Sequence, residues 1–257
     1  MRFDVVTLFP LVFPGPLAAG VVGRALERGL FEVQAHDLRP FGLGAHRQVD
    51  DIPYGGGPGM VLRPEPLFGA VRSVRDLPGL APARGILLSA HGRSLSAGLV
   101  EELAGEPRLL LVCGRYEGVD ERVSEGLGLE EVSVGDFVVS GGELPAMILI
   151  EAVVRLLPGT LGDPDSAREE SFREGLPEYP QYTRPAEFEG MAVPEVLRSG
   201  DHARIAGWRA AAAQERARRL RPDLLQGDGG RGLAPGAREE QPSRGAAAAG
   251  SHLGGSK

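Results

Sequence analysis

The segment between residues 109 and 144 constrains the fold more than any other part of this sequence. Residues 109–113 (LLLVC) form a continuous apolar run, as expected of a strand buried on both faces, and the glycine-bearing turn GRYEG follows at once. Residues 132–139 (VSVGDFVV) form a second predicted strand, which ends at the turn SGGE. Glycine at the carboxyl end of a strand lets the backbone approach a ligand closely, and open α/β sheets bind ligands at that edge. The two turns predict one small-molecule site, with two ordinary β-to-α turns as the alternative.

The glycine spacing and the composition exclude several classes of function. Neither turn contains the GxGxxG of a dinucleotide fold or the GxxxxGK[ST] of a phosphate loop. A net charge of -7 argues against a uniformly basic nucleic-acid binder, although local basic patches decide electrostatic steering.

The single cysteine, Cys113, lies in an apolar strand and is expected to pack as a small hydrophobe. Without a signal peptide or an apolar run of roughly 18 residues, the chain is expected to be a soluble cytoplasmic protein with no membrane partner.

The order of the elements predicts an α/β protein with a mainly parallel sheet. Strand-like and helix-like segments alternate along the first part of the chain. The predicted strands are 1–8, 31–36, 84–89, 109–113 and 132–139, and the predicted helices are 16–28, 64–74, 96–103 and 145–157. A loop over residues 48–60 is rich in glycine and proline and carries two adjacent aspartates. A loop of this length in a compact domain is usually functional or flexible, and we favour a lid or substrate wall.

Beyond residue 158 the sequence becomes polar and loses its periodicity. We therefore predict that residues 161–176 link a first domain, residues 1–160, to a second, residues 177–225. Residues 226–257 consist mainly of glycine, alanine, proline, serine and arginine with very few large apolar residues. Such a composition predicts a disordered tail.

The second domain is predicted to contain a helix from about residue 202 to residue 221. It carries six arginines against one acidic residue, Glu215. A solvated helix face is the ordinary explanation of such a charge run. Contact with the phosphates of a polyanion is the alternative, because the arginines create a local positive field in an otherwise acidic protein.

Four long motifs together carry a resemblance to a known family. They are DDIPYGGGPGM from Asp50, CGRYEGVDERV from Cys113, SVGDFVVSGGELPA from Ser133 and YPQYTRP from Tyr179. On these residues, the chain from residue 1 to about residue 225 resembles the bacterial tRNA (guanine-N1)-methyltransferases of the knotted SPOUT class. Four motifs in register are far more specific than one glycine turn.

The resemblance implies a fold, an activity and an assembly. The fold would be α/β, with a mainly parallel sheet, a deep C-terminal trefoil knot and a small helical C-terminal domain; a knot is an exception to the rule that chains do not thread loops. The activity would be S-adenosylmethionine-dependent methylation of N1 of the guanine immediately 3′ of the anticodon in tRNA. The assembly would be an obligate homodimer with the active site at the subunit interface. A requirement for Mg²⁺ is possible but cannot be read from the sequence.

The resemblance also implies a methyl-donor pocket, position by position. Backbone groups of a glycine-rich turn can hydrogen-bond the edge of adenine, and small residues let the base lie flat against the chain. Leu87 stands where the family often has an aromatic residue. The implied donor-binding residues are Leu87, Gly114, Glu117, Ser133, Val134, Gly135, Asp136, Phe137, Val138, Val139, Gly141 and Gly142.

Two charged residues are implied to be catalytic. Neutral guanine carries a proton at N1, so a base must remove it as the methyl group arrives. The family uses an aspartate of the linker for this step, and here Glu170, just before Ser171 and Phe172, holds that place. Arg155 matches an arginine that would stabilise negative charge developing on guanine O6.

The second domain is implied to bind the RNA. Recognition of RNA usually combines phosphate contacts with capture of an unstacked base. The residues implied to take part are Tyr182, Thr183, Arg184, Arg204, Arg209 and Arg216. Two other functions stay open on the sequence: a knotted RNA methyltransferase with a different target base, and a non-catalytic RNA-binding relative suggested by glutamate at position 170.

Overall fold

A computed structural model of the protein describes residues 1–162, 172 and 175–225. The strands are β1 (Arg2–Thr7), β2 (Glu32–Asp37), β3 (Asp50–Asp51), β4 (Val61–Leu62), β5 (Arg84–Ser94), β6 (Arg108–Cys113), β7 (Glu130–Ser133), β8 (Glu187–Phe188) and β9 (Met191–Ala192). The helices are α1 (Pro14–Leu17), α2 (Gly20–Glu27), α3 (Pro64–Arg75), α4 (Ala97–Ala104), α5 (Arg122–Leu127), α6 (Glu143–Leu156), α7 (Glu195–Arg198) and α8 (His202–Leu220). Within these described ranges, no helix has the length and apolarity needed to span a membrane.

Five strands form the central sheet in the order β2-β1-β6-β5-β7. Every pairing between neighbouring strands in this sheet is parallel, so the prediction of a mainly parallel sheet is confirmed. Consecutive parallel strands need crossover connections, and the helices between them supply these. The β5–β7 register shifts between Leu88 and Arg93, where β5 continues past the end of its pairing with β6. The trefoil knot implied by the resemblance stays a prediction.

The apolar run of β6 is explained by two hydrophobic cores, one on each face of the sheet. Leu109, Leu111 and Cys113 pack in one core with buried residues of α2, α4 and α6. Leu110 and Val112 pack in the other core with buried residues of α3 and α5. Successive side chains of a strand point to opposite faces, so a strand covered on both sides must be apolar at every position.

The second apolar run differs from its prediction. The strand ends at Ser133, and residues 134–139 leave the sheet; Val138 is 88% exposed. Gly135 has φ of 154°, a backbone conformation that residues with a side chain rarely adopt. The Ser133 hydroxyl donates to the carbonyl of Gly135 and accepts from its N–H, so these backbone groups do not pair with a neighbouring strand. The prediction of a strand through Val139 was wrong because the apolar residues of this segment line a cavity instead of a sheet.

One predicted helix needed correction, and one helix of the structure was missed. The single helix predicted at 16–28 is interrupted: α1 ends at Leu17, and α2 begins at Gly20, which has φ of 61°. Helix α5 was not predicted, because its six residues are too few to show a helical period.

A buried ionic cluster joins the amino-terminal ends of β1 and β6. Asp4 is fully buried and accepts hydrogen bonds from the guanidinium groups of Arg2, at 2.8 and 2.9 Å, and Arg108, at 2.8 Å. The ring Nε2 of His36 lies 2.8 Å from the same carboxylate. Burial alone raises the pKa of the Asp4 carboxyl, but hydrogen bonds with His36, Arg2 and Arg108 outweigh burial and hold this pKa below its ordinary value.

This lowered pKa predicts a loss of stability in acid. The unfolded carboxyl titrates near pH 3.9, so the stabilisation from Asp4 is complete above that pH and is lost as the pH falls towards the folded-state value. We expect the free energy of unfolding, measured by urea titration at a series of pH values, to fall more steeply below about pH 4 in the native protein than in Asp4→Asn. Identical slopes for the two proteins would contradict a charged Asp4 in the folded state.

The second predicted domain consists of the β8–β9 hairpin, α7 and α8. The Asp201 carboxylate caps α8 by accepting the backbone N–H of Arg204 at 3.1 Å, and the helix continues to Leu220, close to its predicted end. Residues 163–171, 173–174 and 226–257, which include most of the predicted linker and the predicted tail, lie outside the described residues. The domain boundaries at 160 and 177 stay predictions.

Candidate active site

A cavity of about 240 Å³ lies at the carboxyl ends of β6 and β7, beside the middle of β5. Three segments surround it: residues 87–91, residues 114–121 and the loop that connects β7 to α6. Ligands of open parallel sheets bind at this edge, and the two glycine turns of the sequence meet here. The predicted donor residues that line the cavity are Leu87, Gly114, Glu117, Ser133, Val134, Gly135, Phe137, Val138, Val139, Gly141 and Gly142.

The two glycine turns are joined through their backbones. The N–H of Gly142 donates to the carbonyl of Gly114 at 2.8 Å, and Arg115 and Gly141 form an antiparallel bridge. A Cβ atom on Gly142 would lie 2.7 Å from Cα of Cys113 and 3.0 Å from the amide nitrogen of Gly114. Only glycine therefore lets the loop before α6 pack against the end of β6.

Gly142→Ala is expected to destabilise the protein. The added methyl group must move backbone atoms, and overpacking of this kind typically costs about 1–3 kcal/mol. Gly207→Ala on α8 is the matched control, because a Cβ there meets open space. Alanine is the better helix former, so the control should unfold at or slightly above the native temperature. Thermal unfolding checks the pair, and equal melting temperatures for Gly142→Ala and the native protein would contradict the required close approach.

A buried carboxylate follows the cavity-lining residue Gly142 at the start of α6. Glu143, the first residue of α6, is 2% exposed and accepts a hydrogen bond from the Thr7 hydroxyl at 2.7 Å. Arg115 Nε lies 2.9 Å from Glu143 Oε2, an ion pair whose approach is not aligned as a hydrogen bond. The Arg115 guanidinium also stacks over the ring of Phe9, with 4.4 Å from Cζ to the ring centroid. These contacts tie β1, the turn after β6 and the start of α6 to one another.

The loop over residues 48–60 reaches the cavity wall through its last residues. The N–H of Glu117 donates to the carbonyl of Met60 at 3.0 Å, and the N–H of Leu62 donates to the carbonyl of Gly118. A Cβ on Gly59 would lie 2.3 Å from the Glu117 carboxylate. In the middle of the loop, Tyr54 is fully exposed. The loop is therefore fixed against the turn after β6, and its role as a lid or substrate wall stays a prediction.

Residues 1–227 match the family described as tRNA (Guanine-1)-methyltransferase TrmD. The tRNA (guanine-N(1)-)-methyltransferase of Synechococcus sp. (strain JA-3-3Ab) is 57% identical over 225 residues, which cover 88% of this chain and 88% of the relative. The enzyme of the same name from Moorella thermoacetica is 55% identical over 227 residues, covering 88% of this chain and 90% of the relative. The chain belongs to the tRNA (guanine-1)-methyltransferase family. The resemblance inferred from the four motifs is confirmed. Membership of this family makes the chain a methyltransferase.

The cavity also includes residues that the sequence motifs did not indicate. Ser89, Ala90 and His91 line it because β5 runs beyond Leu88. The one signal in the sequence for these three lining residues was the glycine at position 92, directly after His91. In the structure, an added Cβ on Gly92 would lie 2.4 Å from the backbone of β7, so the two strands approach closely at this position. Asp136, in contrast, does not line the cavity, so the structure does not bring this predicted donor residue together with the others.

Cys113 directly precedes Gly114, which lines the cavity, but does not line the cavity itself. Its thiol is free and 1% exposed. Burial, followed by the nearby negative charge of Glu143, raises the pKa of the thiol well above its ordinary value. A protonated, enclosed thiol is a poor nucleophile, so the expectation that Cys113 packs as a small hydrophobe is confirmed.

The predicted catalytic pair is only partly described. Arg155 lies in the last turn of α6 and does not line the cavity. Glu170 lies outside the described residues, as does its neighbour Glu169. Their predicted roles in the methyltransferase reaction are untested by the described geometry. Among the described residues, no group of three or more histidine, cysteine, aspartate or glutamate side chains could hold a metal ion.

The predicted RNA-binding residues divide into two sets. Tyr182, Thr183, Arg184 and Arg209 line a second cleft, within the unit formed by α7 and α8. Arg204 is exposed in the first turn of α8, and Arg216 donates to the backbone carbonyl of Glu178 at 3.3 Å. The cleft and the first cavity share no lining residue.

Proposed function

We propose that this protein transfers the methyl group of S-adenosylmethionine to N1 of guanine 37 in tRNA, the residue immediately 3′ of the anticodon. The observation that carries the proposal is the meeting of the two glycine turns in one cavity at the sheet edge, in a chain of this family. Because its substrate is tRNA, we place the reaction in the cytoplasm.

The chemistry of the cavity fits the proposed methyl donor. Gly114, Gly141 and Gly142 present backbone without side chains, so a flat adenine ring can lie against the chain and bond its N–H and C=O groups. The exposed apolar residues Phe137 and Val138 supply surface for the base and ribose to cover. When bound, the sulfonium of the donor supplies an electrophilic methyl group. Leu87, within β5, and Ser133, at the end of β7, would hold the donor.

Proton removal from guanine N1 is assigned to Glu170, and stabilisation of O6 to Arg155. A carboxylate is suited to accept the N1 proton as the methyl group arrives, since it is ionised at neutral pH. A fixed guanidinium near O6 would offset the negative charge that develops on the base. Supporting this pairing, Arg155 lies in the last turn of α6, the helix that begins directly after the cavity-lining residue Gly142, and Glu170 follows Arg155 by fifteen residues in the chain.

We also propose that the enzyme works as a homodimer with its active site at the subunit interface. In support, Leu144 and Ile148 lie one turn apart on α6 and both are exposed, and Leu11 is 91% exposed. Large apolar side chains grouped on one helix face are typical of an interface. The linker of one subunit would then reach the donor held by the other, and a monomer would be inactive.

Methyl transfer is the decisive test of the proposed function. The protein is incubated with S-adenosylmethionine carrying a labelled methyl group and with a tRNA that has guanine at position 37. The expected result is label in that nucleotide as 1-methylguanosine, and none in the same tRNA with adenosine at that position. Donor binding without transfer would instead identify a non-catalytic RNA-binding relative, and label in another nucleotide would identify a different target.

A further inference from the structure

The second cleft has a volume of about 440 Å³, within the range of roughly 300–1,000 Å³ typical of small-ligand sites. Its walls come from residues 179–186, from α7 and the residues around it, and from one face of α8. Among the described residues that line the cleft, three are arginines and none is acidic. A concave site with this charge favours an anionic ligand over a cationic or neutral one.

Aromatic rings form one side of the same cleft. The guanidinium of Arg209 covers the ring of Tyr179, with 4.6 Å from Cζ to the centroid. Tyr182 packs at an angle against Trp208, with 6.3 Å between ring centroids, and is 49% exposed. Tyr182 therefore keeps about half of its surface available for a further contact.

Arg209 adds an unused hydrogen-bond donor. Its Nε is buried and has no hydrogen-bond partner among the described residues. A buried donor without a partner costs free energy, and it gains that partner when a ligand brings an acceptor oxygen or nitrogen. Proteins hold one nucleotide of a single strand with an exposed aromatic ring, arginines and an unpaired hydrogen-bond donor. The base stacks on the ring, and the phosphate or the edge of the base accepts the hydrogen bond.

We propose that this cleft binds one unstacked nucleotide of the tRNA, other than the target guanine, by stacking its base on Tyr182 and pairing it with Arg209. The inference rests on the proposed function, because it takes tRNA as the ligand. The target guanine must reach the cavity at the sheet edge, which has no lining residue in common with this cleft. Capture of a second nucleotide would hold the anticodon loop in an opened conformation while N1 of the target is exposed.

Trp208 is the only tryptophan of the chain, and its contact with Tyr182 makes it a reporter of the cleft. The intact protein is titrated with tRNA, and then with the same tRNA carrying an abasic site at each anticodon-loop position in turn. We expect the native tRNA to quench Trp208 fluorescence, and one abasic position other than the target to remove the quenching and weaken binding by roughly 5- to 150-fold.

Two variants separate stacking from folding. Tyr182→Phe retains the ring and should bind like the native protein, whereas Tyr182→Leu should weaken binding of native tRNA by the same factor as the critical abasic site. The two losses should not add, because each removes the same contact. The abasic series uses the native protein, so it decides the proposal even if Tyr182→Leu does not fold.

Several results would overturn the proposal. They are binding that is insensitive to every abasic site outside the target, binding by Tyr182→Leu equal to that of the native protein, and stronger quenching by free adenosine or guanosine monophosphate than by tRNA. The proposed function fails separately: fluorescence that responds to one abasic site without any methyl transfer would retain the nucleotide cleft and remove the catalytic assignment. Normal methyl transfer without a fluorescence response to any abasic site would retain the catalytic assignment and remove the nucleotide cleft.

Discussion

Replacement of Asp4 by alanine is expected to lower the free energy of unfolding by about 3–5 kcal/mol, the range for removal of one partner of a buried ion pair. Asp4 is fully buried, and the Arg108 side chain is 2% exposed. Without the carboxylate, the Arg108 charge stays inside the protein with only backbone carbonyls, including those of Val74 and Ala81, as acceptors. Urea unfolding at neutral pH measures the loss.

Glu32→Ala is the control, because Glu32 also pairs with Arg2, at 2.9 Å, but at the surface. An exposed ion pair contributes about 0–1 kcal/mol, so this variant should unfold close to the native midpoint. The double variant Asp4→Leu with Arg108→Leu removes both buried charges and should recover much of the stability lost in Asp4→Ala. If Asp4→Ala and Glu32→Ala unfold at the same urea concentration, the cluster does not stabilise the fold as argued.

The central strand of the parallel sheet, β6, was predictable because it obeys a rule that depends on local sequence alone. A strand covered on both faces must be apolar at consecutive positions, and residues 109–113 satisfy that rule. The segment 132–139 satisfies it only in part, because Ser133, Gly135 and Asp136 interrupt its apolar residues, and the chain leaves the sheet after Ser133. Its apolar residues border a cavity, and the sequence pattern cannot distinguish a helix-covered sheet face from a cavity wall.

The position of the cavity could be predicted from the sequence, but the buried contacts next to it could not. Glycine turns at two strand ends predicted where the site would form, because parallel strands end at a common edge. The contact between Thr7 and Glu143 joins residues far apart in the sequence, and no local pattern of either residue indicates it. Glu143 could at most have been recognised as an acid at a helix start, a common position that carries no information about its partner.

The activity required the family motifs, since the physical patterns of the sequence reached only a ligand site and a basic helix. The reason lies in position 170: a glutamate among polar residues has no local feature that separates a base from a solvated side chain. The role proposed for Glu170 would depend on where the linker lies when tRNA and the methyl donor are bound.

Glu170→Ala is expected to reduce the rate of methyl transfer by about 10²- to 10⁴-fold, the usual contribution of a positioned general base. The loss should appear in single-turnover transfer at saturating donor and tRNA, with the affinities for both substrates nearly unchanged, because in the proposed mechanism the carboxylate would act only as N1 loses its proton. Glu170→Gln should be as slow as Glu170→Ala, since the amide has the same shape but cannot accept the proton at neutral pH.

Glu169→Ala provides the matched control, because it removes an adjacent acid from the same linker segment. It should transfer methyl groups at close to the native rate. Glu170→Asp keeps a carboxylate on a side chain one methylene shorter, and a displacement of about 1 Å can reduce the rate by 10²-fold, so an intermediate rate is expected. The native rate should rise with pH until the base is fully ionised, and that dependence should be absent from the residual activity of Glu170→Gln. A fast Glu170→Ala together with a slow Glu169→Ala would assign the base to Glu169, and native rates in both variants would place proton removal outside this pair.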